Sequence, residues 1–325
     1  MGAIVAGDQG VECLNYFSAL FPTAASTNAS EVDAISLGLL VICGLIVVLV
    51  FGLIVFFGIK YRKGSPYSRA ISYRQSGLLE WSWTFGTFAI FLALFLWGAR
   101  LYFRMHVTPP GAIEISVIAK QWMWNFQHSG GYRELNELHI PVNQPIVLTM
   151  TSQDVVHSLF VPAFRIKQDV LPARYTKLWF QATLPGEYHL FCSQYCGTSH
   201  AEMRGKVIVM AEPDFGKWMV QNTSTTLKPV ATVSAGEKFY QKLGCASCHE
   251  QKVAPSFNGL FGSMVTLTDG RTVRADENYL RDCILKPETQ RVKGFDPVMP
   301  SFRGQIAEQD LLQLIDYIKS LGTQK

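Results

Sequence analysis

Cys192-Ser-Gln-Tyr-Cys196-Gly-Thr-Ser-His200-Ala-Glu-Met203 is a run of soft metal ligands at short spacing. Thiolate, imidazole and thioether donors select copper over hard cations. A mononuclear blue-copper site uses a single Cys. Two Cys in a Cys-x3-Cys loop, with His and Met close behind, let both thiolates bridge a pair of coppers sharing one unpaired electron. Such a pair keeps its geometry on reduction, which suits electron transfer and not hydrolysis. The set needs a second imidazole from elsewhere. His157, in Asp154-Val-Val-His157-Ser-Leu-Phe-Val-Pro162, is the best candidate by its separation from the loop. The alternative is a tetrahedral zinc site of Cys192, Cys196, His200 and His157. It leaves Met203 without a role.

A second constellation, Cys245-Ala-Ser-Cys248-His249, reads as a c-type haem attachment sequence. Its thiols would form thioethers and His249 would bind the iron. No His follows it, and no second Cys pair exists to finish a zinc site. The sixth ligand should be a Met, which raises the potential. Met264 and Met299 are the two that follow the motif. Met299, in Pro297-Val-Met-Pro-Ser301 just before the last helical segment, is the expected ligand, and Met264 is expected to be packing. The segment Pro255-Ser-Phe-Asn-Gly-Leu260 is expected to lie on the haem edge. From Ser234 onward acids and bases nearly balance, without the basic patch of a diffusible cytochrome.

Two stretches, Ile35 to Ile59 and Leu78 to Tyr102, are apolar and uncharged apart from Glu80 and Arg100 near the ends of the second. Each exceeds the roughly 20 residues a helix needs to cross a bilayer core. They read as a membrane hairpin. The connection carries Lys60, Arg62, Lys63, Arg69 and Arg74 and no acid, whereas the first 33 residues carry Asp8, Glu12, Glu31 and Asp33 and no base. The positive-inside rule puts the connection in the cytoplasm and both termini outside. The first 30 residues lack a basic start and a cleavage-like site, so no standard signal peptide is expected. Net charge is +4 and no long basic run exists, so no nucleic-acid partner is expected.

Seven cysteines are present, four of them in the two motifs. Cys43 and Cys283 are expected to be buried apolar thiols; Cys13 has no reading from the residues. His106, His128, His139 and His189 have no ligand partner at useful spacing and read as surface or structural.

Between 113 and 218 the chain alternates as strands do. Ala112 to Phe126 is one apolar run, Tyr175 to Ala182 and Tyr188 to Cys192 flank the turn Leu184-Pro185-Gly186, and Lys206 to Met210 follows. Short strands in this number predict a β-sandwich or barrel. Asn222 to Thr226 and Pro229 predict a polar linker. Ser234-Ala-Gly-Glu237 predicts a capping box before a helix, and Leu311, Leu314, Ile315, Ile318 and Leu321 share one helical face. The expected divisions are an external segment 1–32, a transmembrane hairpin 33–104, a β domain 105–218, a linker 219–233 and a small all-α domain 234–325.

From the first span to about residue 215 the chain resembles subunit II of the haem–copper cytochrome c oxidases. The Cys-x3-Cys-x3-His-x2-Met loop of that family is complete at 192–203, and its Asp-x2-His is met by Asp154 and His157. The resemblance implies a cupredoxin fold holding binuclear CuA. Cys192 and Cys196 would bridge, His157 and Met203 would complete one copper, and His200 with the Gln194 carbonyl the other. Most members carry Glu where this chain has Gln194, and that Glu reaches a magnesium ion at the subunit I interface. Neutral Gln is a weaker ligand for a hard cation, which puts magnesium in doubt. The run Gln121-Trp122-Met123-Trp124-Asn125-Phe126 resembles the Trp-rich strand beside CuA, where Trp122 matches the residue that passes electrons into copper. For Trp124 and Phe126 a plain buried core strand is the reading. Asp169 and Arg174 match positions near the subunit I interface. Glu80, in Glu80-Trp-Ser-Trp83, matches an acid assigned to the mouth of a proton channel in subunit I.

With its class I cytochrome c domain the whole resembles the caa3-type oxidases, in which a cytochrome c is fused to subunit II. The implied function is electron input to a proton-pumping terminal oxidase of a bacterial cytoplasmic membrane, with the redox domains on the outer, periplasmic side. Implied partners are subunit I and other oxidase subunits, membrane lipid, and an external donor, either a cytochrome c or a quinol-oxidising complex. Oxygen reduction is expected on another chain, because no three-His copper site lies in the spans. The rivals are the same module serving a nitric oxide reductase and a stand-alone membrane-anchored electron shuttle. A quinol oxidase subunit is excluded, since that branch loses the copper ligands.

Overall fold

The computed structural model describes residues 21–68, 73–129, 131–226, 232–251 and 253–321. The expectations at Asp8, Glu12, Cys13 and Arg69 lie outside the described residues. The chain divides after Thr108 into two units.

The first unit holds α1 (Ala29–Lys60) and α2 (Tyr73–His106), both long and apolar enough to cross a membrane. At 1.5 Å per residue, 32 residues reach roughly 48 Å, well beyond the ~30 Å of a hydrocarbon core. Each helix therefore runs past the apolar stretch that predicts it. Apolar side chains such as Leu45, Val48, Phe51 and Phe95 are exposed along both. Within the hairpin, Glu31 pairs with Arg104. Gly38 lies against the Trp97 ring, at the ordinary contact distance for a Cβ. Cys43 is exposed on α1 and not buried as expected. Only Ala29 of α1 is buried, so a thiol midway along it faces outward.

The second unit begins with ten strands: β1 (Ile113–Lys120), β2 (Met123–His128), β3 (Arg133–Leu135), β4 (Glu137–Pro141), β5 (Pro145–Ser152), β6 (His157–Val161), β7 (Ile166–Val170), β8 (Thr176–Gln181), β9 (Gly186–Cys192) and β10 (Arg204–Met210). They form two five-stranded sheets, ordered β3-β2-β1-β5-β8 and β4-β10-β9-β6-β7. The β1–β5 and β10–β4 pairs are parallel and the rest antiparallel. The turn at Leu184-Pro185-Gly186 carries the chain from one sheet to the other. This is the β-sandwich expected from the short alternating strands, in the cupredoxin-like form that the resemblance implies. Its core includes Trp124, Phe126, Leu148, Leu159, Phe164 and Phe180, all nearly inaccessible. Trp124→Ala, which empties the largest of these sites, should cost about 3–5 kcal/mol, measured as a lower denaturant midpoint.

Residues 212–226 differ from expectation. They form α3 (Glu212–Thr226), so the predicted linker is helical through Thr226. Glu212 and Asp214 favour the helix start. Trp218 stacks on His139 at 4.2 Å and meets Tyr132 and His128 edge-on. Tertiary contact overrides the weak helix preference of Asn, Thr and Ser there.

The remainder comprises α4 (Thr232–Lys242), α5 (Ala246–His249), a hairpin of β11 (Met264–Thr266) and β12 (Thr272–Arg274), α6 (Glu277–Leu285) and α7 (Glu308–Leu321). The first helix starts two residues before Ser234, so that residue lies inside it and is not its cap. Helices α4 and α7 cross at Gly236, where a Cβ would overlap the Gln313 carbonyl. Leu311, Leu314, Ile315 and Ile318 are buried as the helical spacing predicts. Asp276 caps α6, accepting a hydrogen bond from Tyr279 N–H at 2.8 Å.

Burial along β5 is continuous from Ile146 to Ser152, on both faces of the strand. Alternation fails because a second layer covers the outer face of the β1–β5–β8 sheet. That layer is α6 and α7. Glu277, at the start of α6, accepts from Lys177 of β8 at 2.7 Å and lies 3.2 Å from Lys319 of α7. Burial acts to raise its carboxyl, but the two ammonium groups outweigh it and hold the group below its usual range. A carboxyl depressed in the folded state stabilises at pH values above its unfolded pKa, and that stabilisation is lost as pH falls through the lower folded value. Glu277→Gln should therefore destabilise by about 1–3 kcal/mol at pH 7. The difference from wild type should disappear in acid below the ordinary carboxylate range, as a series of denaturant midpoints against pH would show.

Candidate copper and haem centres

Four of the expected copper ligands lie on or beside one edge of the sandwich. Cys192 ends β9, Met203 immediately precedes β10, and Cys196 and His200 lie in the loop between them. Cys192 N–H donates to the Met203 carbonyl at 3.1 Å, which closes the loop's base. His157 opens β6, which pairs with β9, and Ser193 N–H donates to Ser158 O at 2.9 Å. The sheet thus brings together residues separated by 35 positions in sequence.

The donors converge. Cys192 Sγ lies 3.9 Å from Cys196 Sγ, 3.8 Å from His157 Nδ1 and 3.2 Å from the Gln194 carbonyl oxygen. Cys196 Sγ lies 3.4 Å from His200 Nδ1 and 3.7 Å from Met203 Sδ. Among the described residues His157, Cys192 and Cys196 are the one group of His, Cys, Asp and Glu placed to hold a metal ion. All three are buried, and Met203 with them.

Asp154 sets the imidazole. His157 Nε2 lies 2.8 Å from Asp154 Oδ1, which turns Nδ1 toward the sulfurs; an anchored second nitrogen is the usual orientation device for a metal-binding imidazole. Burial acts to raise the Asp154 carboxyl, but Gln121 N–H, His157 and Val155 N–H hold it low. Burial opposes charge on His157 as well, and Cys192 with Asp154 outweighs it and raises the imidazole. The two thiols are pushed apart. Burial raises both, yet hydrogen bonds from His157 and from the Ser158 and Gln194 backbone bring Cys192 below its ordinary value. Burial and the neighbouring Cys192 push Cys196 up to about 12. One anion beside another in an apolar setting is unfavourable, and a soft cation between the two sulfurs is what lets both ionise. The donor chemistry fits a copper pair.

Sequence reasoning missed two supporting residues. Gln121 donates from Nε2 to the Cys196 carbonyl at 2.8 Å and from its backbone to Asp154 at 2.7 Å. Gly197 (φ +118°) lets it do so, because a Cβ there would lie 2.9 Å from Gln121 Nε2 and 3.4 Å from the Trp122 ring. The signal was a Gly directly after a ligand Cys. These contacts hold Trp122 against the loop, its Nε1 buried and without a partner among the described residues. Trp124 and Phe126 are core, as expected, although the Trp124 ring also meets His157 edge-on at 6.1 Å.

The second centre lies in the helical part. Two adjoining cavities of about 240 and 220 Å³ share His249, Ala254, Phe257, Ile284, Val298 and Met299. Cys245 and Cys248 line one of them. His249 Nδ1 lies 2.7 Å from the Pro255 carbonyl, which leaves Nε2 for iron. Its ring stacks on Phe257 at 4.0 Å, and burial keeps the imidazole below its usual value, in the neutral form a ligand needs. Pro255, Phe257 and Leu260 line the larger cavity. An apolar cleft with two thiols at its rim and an anchored imidazole fits a covalently attached haem. Met264 is 64% exposed on β11 and so is not the packing residue expected. Cys283 lines the larger cavity and is half-buried, with burial pushing its thiol up to about 11.

Residues 129–211 match the family described as cytochrome c oxidase subunit II, periplasmic domain, and residues 231–318 match the one described as cbb3-type cytochrome c oxidase, subunit III. The chain is similar to cytochrome c oxidase subunit II, with a cytochrome c domain fused behind it. Cytochrome c oxidase subunit 2 of Alkalihalophilus pseudofirmus is 26% identical over 297 residues, which cover 87% of this chain and 84% of that protein. The Thermostichus vulcanus subunit is 39% identical over 116 residues, 36% of this chain and 35% of that one. The crystal structure of the periplasmic domain of subunit II from Bradyrhizobium japonicum is 28% identical, with 37% of this chain and all of that one covered and a TM-score of 0.36.

Elsewhere in the chain, Glu80 lies on α2 and accepts a hydrogen bond from Ser76 at 2.8 Å. Asp169 and Arg174 do not pair with each other: the Asp169 carbonyl accepts from Thr176 at 2.8 Å. His128 and His139 share the buried carboxylate of Glu134 at 2.6 and 2.5 Å, a structural bridge under α3. His106 lies 2.8 Å from the Tyr102 carbonyl.

Proposed function

We propose that this chain is the subunit through which electrons enter a proton-pumping terminal cytochrome c oxidase. They would arrive from an external donor at haem c, continue by way of CuA and leave for a separate haem–copper subunit that reduces O2. The observation that carries this reading is one chain with two helices of membrane length, a convergence of two thiols, two imidazoles and a thioether, and a Cys-Cys-His cleft.

His157 and Met203 would hold one copper, His200 and the Gln194 carbonyl the other, with Cys192 and Cys196 shared. Cys245 and Cys248 would attach the haem, with His249 and Met299 as its axial ligands. The copper pair, when bound, supplies one-electron exchange at nearly constant geometry. The chain's own residues prepare that chemistry: Asp154 aims His157, Gln121 ties the loop to the Trp122 turn, and burial keeps water from the sulfurs. Trp122 is proposed as the point of electron entry, and Glu80 as the acid at the mouth of a proton channel in subunit I. A weak or missing magnesium site is proposed from Gln194.

The proposed domain limits are an external segment 1–32, a hairpin 33–104, a cupredoxin domain 105–218, a linker 219–233 and a cytochrome c domain 234–325. The proposed setting is a bacterial cytoplasmic membrane, redox domains on the outer side. Metal analysis with electron paramagnetic resonance on the detergent-extracted complex tests the reading. The expected result is two coppers sharing one unpaired electron, one covalent haem c and a copurifying haem–copper subunit. A single zinc or a mononuclear copper overturns it.

A further inference from the structure

We infer that the cytochrome c part is not a module swinging on a tether but is clamped to the outer face of the β1–β5–β8 sheet, with Asn278 and Arg281 as positioning residues. The inference rests on the electron-input reading for its consequence, and on contacts within the second unit for its geometry.

Helix α6 pairs with the chain just before β8 as an added strand would. Tyr175 N–H donates to Asn278 Oδ1 at 2.7 Å, and Asn278 Nδ2 donates to Tyr175 O at 3.2 Å. Arg281 then closes three contacts at once. Its Nη1 donates to the Ala173 carbonyl at 3.0 Å, and its Nε and Nη2 engage both oxygens of Glu308 at 3.1 and 3.0 Å. Tyr175 Oη donates to the same Glu308 at 3.0 Å. A second ionic group lies beside it, where Lys319 reaches both oxygens of Glu114 on β1 at 3.0 and 2.9 Å.

These are not surface pairs. The Arg281 and Glu308 side chains are 8% and 15% exposed. Ile118 of β1 and Tyr175 are buried in the same apolar cluster as Leu280, Ile284 and Leu311. Surface ion pairs contribute little and are screened by salt, whereas a buried charge that loses its partner is left costly and unpaired. The joint should therefore hold at high ionic strength.

Its placement gives the joint a function. Residues of α6 are divided between two sides: Glu277, Asn278 and Arg281 grip the sheet, while Tyr279, Cys283 and Ile284 line the haem cleft. One helix, with a diameter of about 10 Å, thus separates the cleft from the cupredoxin surface. The clamp would fix the separation of the two redox centres, and the sheet's outer face would be closed to any other protein.

Hydrogen–deuterium exchange on the full-length chain tests this, because the Tyr175 amide has its hydrogen bond from the docked helix. In wild type, the Tyr175 amide should be protected equally at about 20 and about 500 mM NaCl. Arg281→Gln and Asn278→Ala should each speed its exchange at least about tenfold, while β9, β10 and the haem Soret band stay unchanged. The rate of electron transfer between the centres should be independent of salt in wild type, and slower and salt-dependent in Arg281→Gln. Free-loop exchange of the Tyr175 amide in wild type, protection that salt removes, or no response to both substitutions overturns the clamp. Intact protection without a copper-pair signal leaves the clamp standing and removes the electron-input reading.

Discussion

Cys196→Ser should abolish the copper pair, taking bound copper from two per chain to one or none and removing the shared-electron signature. The reason is geometric. Cys196 Sγ is the node of the site, with Cys192 Sγ, His200 Nδ1 and Met203 Sδ all between 3.4 and 3.9 Å from it. A hydroxyl keeps the shape but not the softness, and it does not ionise near neutral pH to bridge two metals. The remaining set of His157, Cys192 and Met203 matches a mononuclear site with one thiolate. The fold should survive, because β9 and β10 are paired through six register positions beside the loop. Metal analysis, paramagnetic resonance and far-ultraviolet circular dichroism on the same sample separate lost ligation from lost structure. Cys283→Ser is the control: that thiol lies in the other part of the unit, and copper content should not change. Two coppers retained in Cys196→Ser would exclude the bridging role.

How much of this could be read in the chain follows from the range of the interactions. The ligand loop is local, and the structure places every one of its donors together. His157 was reachable by its separation from the loop, and β6, which it opens, does pair with β9. The strands announced themselves by alternation, and the last helix by its apolar face. The misses involve contacts between distant segments. Nothing in the residues around Asn222 favours a helix; α3 forms because Trp218 stacks on the imidazole of His139 on β4. Gln121 looked like any polar strand-end residue, and its partners lie 33 and 75 positions away. The clamp was equally silent: its Arg281, Glu308 and Lys319 are ordinary surface types until a second layer buries them. Cys43 was misjudged because an apolar helix was taken to bury its thiol, although in a membrane hairpin most of the surface faces outward.

Met299→Leu should leave the haem attached but remove its sixth ligand. Attachment would depend on Cys245 and Cys248, and His249 keeps its orientation through the Pro255 carbonyl, so haem content and the covalent pyridine spectrum should not change. What changes is the iron. A thioether favours the reduced state, and losing it should lower the midpoint potential by on the order of 0.1 V or more, within the roughly 0.8 V that axial ligation spans. The thioether–iron charge-transfer band should disappear, and added imidazole or cyanide should bind where wild type resists. Leu has nearly the volume of Met, so the cleft walls that Met299 shares with Phe257 and Ile284 stay filled and stability should change by less than about 1.5 kcal/mol. Met264→Leu serves as the comparison. That side chain is 64% exposed and lines neither cavity, so its substitution should leave band and potential untouched. If instead Met264→Leu removed the band and Met299→Leu did not, the hairpin of β11 and β12 would have to fold over the cleft, and the assignment of the axial ligand would reverse. Because the potential of this haem sets the driving force toward copper, the same Met299→Leu chain should pass electrons onward more readily while accepting them from a donor less readily.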